Sequence, residues 1–152
     1  MTTKDILAST LLAAATLPAT ANATETPDAA AIRDVLGQYE RALNASDTDA
    51  VMPLYAVDGV FMPAFSPSAV GASEVRRAYD VVFKAIRLSV KFDIVEIVRV
   101  APDWAFARTN SAGTVTINAT GANSAEANQE LFVFHKADGG DWKIARHSFS
   151  PT

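Results

Sequence analysis

The chain has 152 residues, 49% of them hydrophobic and 20% charged, with a formal net charge of −4 and no cysteine. That length holds one domain with a real core. The acidic balance, with no basic stripe, leaves no electrostatic footprint for nucleic acid, and the missing thiols exclude disulfides, cysteine nucleophiles and cysteine metal sites.

Residues 1–23 differ from the rest. Lys4 and the amino terminus are positive, residues 6–17 are an apolar run, Pro18 breaks it, and Ala21-Asn22-Ala23 forms a small-x-small cleavage pattern. That is the three-part layout of a secretory signal peptide, and the run is too short to span a bilayer. The alternative is an N-terminal helix that packs on the domain or frays. Cleavage near Ala23 would export the protein, to the periplasm or beyond, with no membrane contact afterwards; without processing it would stay cytoplasmic. Residues 24–30 read as a linker.

A first helix is expected over residues 28–44, where Ile32, Val35, Leu36, Tyr39 and Leu43 recur at helical spacing. Asn44-Ala45-Ser46-Asp47 breaks it, because short polar side chains bond nearby backbone better there than inside a helix. Val51, Leu54 and Tyr55 suggest a second helix over residues 48–57, ended by Asp58-Gly59. Val60-Phe61-Met62 then starts a strand that Pro63 closes. Residues 63–71 form a proline-rich loop suited to a rim or lid, and residues 72–86 a third helix with Val75, Tyr79, Val82, Phe83 and Ile86 on its apolar side. From Leu88 the period changes to two. Strands are expected from there to a turn at Ala101-Pro102-Asp103, over residues 104–119 with a bend at Gly113, over 128–137, and over 142–149 after a tight turn at residues 138–141. Helices followed by antiparallel strands give an α+β fold, with helices on one face of a curved sheet.

The stretches ALNASDTDAVMPLYAVDGVFMP, AVGASEVRRAYDVVF, NQELFVFHK and WKIARHSFS span most of residues 31–150. Through them the chain resembles the nuclear transport factor 2-like superfamily, the cone-shaped fold of ketosteroid isomerases and SnoaL-like proteins, and within it the SgcJ/EcaC family, which carries an oxidoreductase label. The resemblance implies one SnoaL-like domain over residues 31–150, three helices on a strongly curved, mainly antiparallel sheet. Residue by residue, Tyr39 matches the tyrosine that donates to the substrate oxyanion in ketosteroid isomerases. Tyr55 and Tyr79 match two tyrosines of the same network, and Glu130 falls where those enzymes hold a protonated aspartate, a case that is also a standard example of a carboxylic acid kept neutral by an apolar site. The isomerase's general base, an aspartate of the first strand, has no counterpart, since Met62 or Pro63 stands there.

The last hairpin can be read from geometry alone. If Gly139-Gly140 is a two-residue turn, Phe132 lies opposite His147 and Glu130 opposite Phe149. Alternation then puts Glu130, Phe132, Phe134, Ala145, His147 and Phe149 on one face, and Gln129, Leu131, Val133, His135, Ile144 and Arg146 on the other. A carboxyl among phenylalanines must be paired, share a proton or stay neutral. Three readings stay open: an ionised Glu130 orienting a protonated His147, a neutral Glu130 donating with Tyr39 to a ligand oxygen, or a structural tie from Glu130 to the first helix through Tyr39. Asp58 reads as a turn residue. In the preceding hairpin, a two-residue turn at Pro102-Asp103 would place Arg108 outward with Lys91, Asp93 and Arg99, beside Trp104 and Phe106, and Thr109 inward.

The two histidines fall on opposite faces without clustered carboxylates, so no metal is expected. No glycine-rich phosphate loop follows a strand, so no cofactor is expected either. These residues lead to a cavity that binds a small apolar, oxygen-bearing molecule, with Tyr39, Glu130 and His147 as catalytic candidates and Tyr55, Met62, Tyr79, Thr109, Phe132, Phe134 and Phe149 lining it. Cofactor-free acid/base chemistry of isomerase, cyclase or oxidoreductase type would follow. The alternative is a non-catalytic ligand carrier or a dimeric accessory module. A homodimer through the outer sheet face is expected in either case.

Overall fold

The structure is a computed structural model that describes residues 25–137 and 140–152. The expected signal peptide, and Asp138 and Gly139 of the last turn, lie outside the described residues. Helix α1 (Pro27–Ala45) opens with Thr26, whose hydroxyl accepts from Ala29 N–H, and with Pro27 in the first turn, where a missing N–H costs nothing. Its apolar stripe, Ile32, Val35, Leu36, Tyr39, Ala42 and Leu43, is buried. The chain leaves it through Ser46 in the left-handed region, φ 54°, as the polar break predicts.

The second helix is shorter than its spacing suggests. Helix α2 covers only Thr48–Val51, a 3₁₀ turn follows at Met52–Leu54, and Tyr55 already begins strand β1 (Tyr55–Met62). Pro53 is the cause: it offers no N–H to continue the helical ladder. Val51, Leu54 and Tyr55 are all buried, so their i, i+3, i+4 spacing marks burial on three different elements. Asp58-Gly59 is therefore not a helix end. It lies inside β1 where the pairing with the last strand shifts between Tyr55 and Val60, and a Cβ on Gly59 would sit 2.9 Å from the Tyr55 ring.

The remaining elements are β2 (Ala69–Val70), α3 (Ala72–Ala85), β3 (Ile86–Arg99), β4 (Trp104–Ile117), β5 (Asn123–Lys136) and β6 (Trp142–Pro151). They form a six-stranded sheet in the order β2-β1-β6-β5-β4-β3, antiparallel except where β1 runs parallel to β6. The sheet curls around α1 and α3, and the core lies between them. Strand β4 runs without a register shift through Gly113, where a Cβ would lie 2.0 Å from Ser89 O.

Two bulges correct the expected faces. The β5–β6 register pairs Glu130 with Phe149 and Phe132 with His147, as the hairpin reading requires, and then slips by one between Val133 and Phe134. Ile144 and Ala145 are consequently both buried, and Ile144 faces the core instead of the outer surface. A second slip, between Ile94 and Glu96, sets Glu96 opposite Arg108 and Arg99 opposite Ala105. Arg108 and Thr109 face outward and inward as expected, and Arg108 pairs with Glu96. Arg99, by contrast, turns to the helix side, where it reaches Asp28 at 3.2 Å. Asp28 also accepts from the Trp142 indole at 3.0 Å, the main reason its carboxyl sits below the usual range.

Strand β3 is an edge of the sheet, and α1 closes its centre. The Asn44 side chain donates to Val90 C=O and accepts from Val90 N–H, both at 2.8 Å, and Glu40 accepts from Phe92 N–H at 2.8 Å. Two helical side chains thus take the place of a neighbouring strand.

Candidate active site

The middle of the sheet brings the site together through register. Phe61, His147 and Phe132 are successive partners across β1, β6 and β5. The imidazole lies flat between two rings as a result: Phe132 at 4.0 Å and 5°, Phe61 at 5.4 Å and 20°. Helix α1 lowers Tyr39 onto this stack from one side, while Tyr79 from α3 and Tyr55 from the start of β1 close it from the other.

The polar atoms form one connected set. The hydroxyls of Tyr39 and Tyr55 lie 2.7 and 2.8 Å from that of Tyr79, and both lie 3.3 Å from His147 Nδ1. On the far side of the ring, Nε2 is 3.0 Å from Glu130 Oε2. Three hydroxyls and Nδ1 therefore make a closed four-membered ring, with the carboxyl attached behind it. Glu130 reaches Tyr39 only through His147, so the direct tie between them expected from the sequence is not made. The tyrosines are buried, and burial, followed by charge on neighbouring groups of the network, holds each well above the usual tyrosine range. They remain neutral donors at any ordinary pH.

Proton counting limits what this ring can do. With a neutral imidazole whose proton faces Glu130, three hydroxyl protons serve four contacts, and one contact goes without. The two 3.3 Å contacts to Nδ1 are long for an O–H donor. Tyr39 can turn its proton from Nδ1 toward a ligand at small cost, because Tyr55 still serves the ring nitrogen. An imidazolium would supply the fourth proton and release Tyr39 altogether.

A cavity of about 220 Å³ opens against this ring, lined by eighteen residues that include Tyr39, Phe61, Tyr79, Val90, Phe92 and Phe149 on its apolar walls and Glu130 and His147 among its polar points. It is smaller than the roughly 300–1,000 Å³ that houses drug-sized ligands. Of the residues singled out from the sequence, Tyr39, Tyr79, Glu130, His147 and Phe149 border it. Tyr55, Phe132 and Phe134 stand behind the wall and hold it. Met62 lies outside, since Phe61 takes the inward position and alternation turns Met62 away; Pro63 lines the cavity in its place. Thr109 points inward beside Glu130, its strand partner, but its buried hydroxyl has no partner among the described residues and Thr109 does not line the cavity.

Sequence reading missed Phe61 as a site residue, and it missed Ser111, Glu126 and Asn128, which also line the cavity. The alternation of Glu126, Asn128 and Glu130 is a signal that could have found the last two. Among the described residues no three side chains of metal-ligating type converge.

Residues 35–147 match the SnoaL-like domain family, and the chain belongs to it. In three dimensions it is similar to a ketosteroid isomerase-like protein from Erwinia carotovora atroseptica SCRI1043, at 36% identity and a TM-score of 0.80, over 84% of this chain and 98% of that one. It shares its fold with a conserved protein from Planctomyces limnophilus DSM 3776 (24% identity, TM-score 0.71, 82% and 98% covered). A third, more distant likeness in fold is to an NTF2-like protein from Novosphingobium aromaticivorans (18% identity, TM-score 0.62, 82% and 81% covered). No curated protein matches the chain in sequence.

Proposed function

We propose that the cavity binds a small, largely apolar molecule through an oxygen seated against the Tyr39 hydroxyl, and that the Glu130–His147 pair moves a proton on it. The observation that carries this reading is the cavity itself. An apolar chamber has one wall made of a hydroxyl that can turn its proton toward a ligand and a carboxyl–imidazole pair. The similarity to a ketosteroid isomerase-like protein supports a carbonyl as the oxygen and an enolate as the state that Tyr39 would stabilise. In the step, a C–H bond next to the carbonyl breaks, the proton goes to the Glu130–His147 pair, and the electron pair moves onto the oxygen. No carboxylate of β1 takes part, because that position is held by Met62 and Pro63, so the base differs from the one ketosteroid isomerases are expected to use. The finer placement in the SgcJ/EcaC family rests on the sequence resemblance.

The test is deuterium exchange into 2-tetralone, a small ketone with acidic protons beside its carbonyl. Wild-type protein should exchange them faster than buffer, and Glu130→Gln and His147→Gln should return the rate to background while binding persists. Binding without exchange in the wild type would leave a ligand carrier and remove the enzyme.

A second reading concerns the outer face of the sheet. Val98, Phe106 and Val133 are lateral partners there, with Leu131 and Trp104 exposed beside them. Trp104 stacks on His135 at 4.3 Å. A second copy of the chain is the occupant this face suits, since an apolar strip crossing three strands can meet itself about a two-fold axis.

A further inference from the structure

The cavity has a second polar end that the proton-moving machinery does not use. Glu126, Asn128 and Glu130 alternate along β5, and all three line the cavity. Two residues of strand separate Asn128 from Glu130, about 7 Å. Asn128 is over nine-tenths buried, at 8% exposure. Its amide nitrogen donates to Glu126 Oε1 at 2.9 Å, which fixes the amide orientation, because the flipped form would press two oxygens together. The amide oxygen is then left buried without a partner among the described residues. Ser111, its strand partner on β4, is also buried and also borders the cavity. An orphaned acceptor in a buried wall costs free energy unless something donates to it.

We infer that the ligand is bifunctional: an oxygen at one end meets Tyr39, and a hydroxyl or N–H at the other donates to Asn128 Oδ1, beside Ser111 and the Glu126 carboxyl. This rests on the ligand-binding reading above and sharpens it to a substrate class, small hydroxylated or amino-substituted ring compounds. A molecule with an oxygen only at the Tyr39 end leaves the Asn128 acceptor bare and is selected against, as sites built to hydrogen-bond a polar group reject analogues that lack it.

The experiment uses 2-naphthol and naphthalene-2,6-diol, which differ by one hydroxyl at the far end of the same ring system. Calorimetry gives their Kd for wild type, Asn128→Leu and Tyr39→Phe. The diol should bind wild type roughly tenfold more tightly than the monol, the scale of one hydrogen bond in a buried site. Asn128→Leu should abolish that advantage, while Tyr39→Phe should weaken both probes alike. Asn128→Ala carries the same readout should leucine disturb the fold. Equal affinity of the two probes for wild type, or an advantage that survives both Asn128 variants, overturns the inference and leaves a cavity with the Tyr39 contact alone; a water then serves the amide oxygen. A monol sensitive to Asn128→Leu but not to Tyr39→Phe supports the Asn128 end and overturns the Tyr39 seat. Failure of both probes to bind wild type overturns the two readings together.

Discussion

His147 is held by stacking as much as by hydrogen bonds. Rings on both faces fix its plane, which aims Nδ1 at two hydroxyls and Nε2 at one carboxyl. The three tyrosines that meet it are the only tyrosines in the chain, so a tyrosinate absorbance titration of the whole protein reads this network and nothing else. Their hydroxyls are held above the range they have in the unfolded chain, about 10. The folded state therefore keeps protons that the unfolded state has lost. Stability is fully present below pH ~10 and falls as pH rises above it, by ~1.4 kcal/mol per pH unit for each tyrosine and ~4 kcal/mol for three. Urea unfolding through this alkaline range should show that slope, and tyrosinate should appear only together with unfolding. Tyrosinate that forms in the native protein near pH 10 would refute the buried network. The separate roles of Tyr39, Tyr55 and Tyr79 were legible only through resemblance. Nothing in local spacing says that residues on α1, β1 and α3 converge on one nitrogen, because that convergence is made by packing.

Among the elements, α1 carries most of the organisation. Its apolar stripe supplies the core, Tyr39 supplies the site, and Glu40 and Asn44, one and five residues further on, cover the β3 edge. Asn44→Ala removes two 2.8 Å hydrogen bonds and exposes a backbone donor and acceptor. The expected loss is about 1–3 kcal/mol, read from urea unfolding, with faster hydrogen exchange at the Val90 amide and little change at Phe92. An unchanged midpoint would mean that water replaces the side chain without penalty. The boundaries of α1, α3, β3 and β4 followed, to within two residues, from apolar period and from turn residues, whereas β5 begins at Asn123, five residues before the start expected from its apolar pattern. The β5–β6 register around Phe132 and His147 is the one a two-residue turn at Gly139-Gly140 implies, although the pairs nearer the turn, Phe134 with Ile144 and Lys136 with Trp142, are displaced by one. What escaped were the interruptions: Pro53 ending the second helix early, and the slips that move Ile144 inward and swing Arg99 to Asp28. A bulge adds one residue without altering the apolar pattern around it, so hydrophobic period alone does not locate it.

For the molecule as a whole, the two sides of the sheet divide the work. The concave side holds the cavity, and the convex side carries an apolar strip with Trp104 at its margin. Self-association through that strip predicts a wild-type dimer by sedimentation that Trp104→Glu shifts toward monomer while 2-naphthol binding is retained. A monomeric wild type would refute it, and a dimer indifferent to Trp104→Glu would place the contact elsewhere. Because side chains alternate across a strand, Phe132 and Val133 are neighbours in sequence yet serve opposite faces, one under the imidazole and one in the strip.

The covered edge of β3 has a consequence for crowded solutions. A long strand with free amides is the place where one folded chain can extend the sheet of another and start a fibre. Here Val90 has already spent both of its backbone hydrogen bonds on Asn44, and Phe92 its N–H on Glu40. Growth by sheet addition would have to peel α1 away first, and α1 leaves only with Tyr39 and the core stripe. The protein thus guards itself against fibrous assembly with the same helix that builds its cavity.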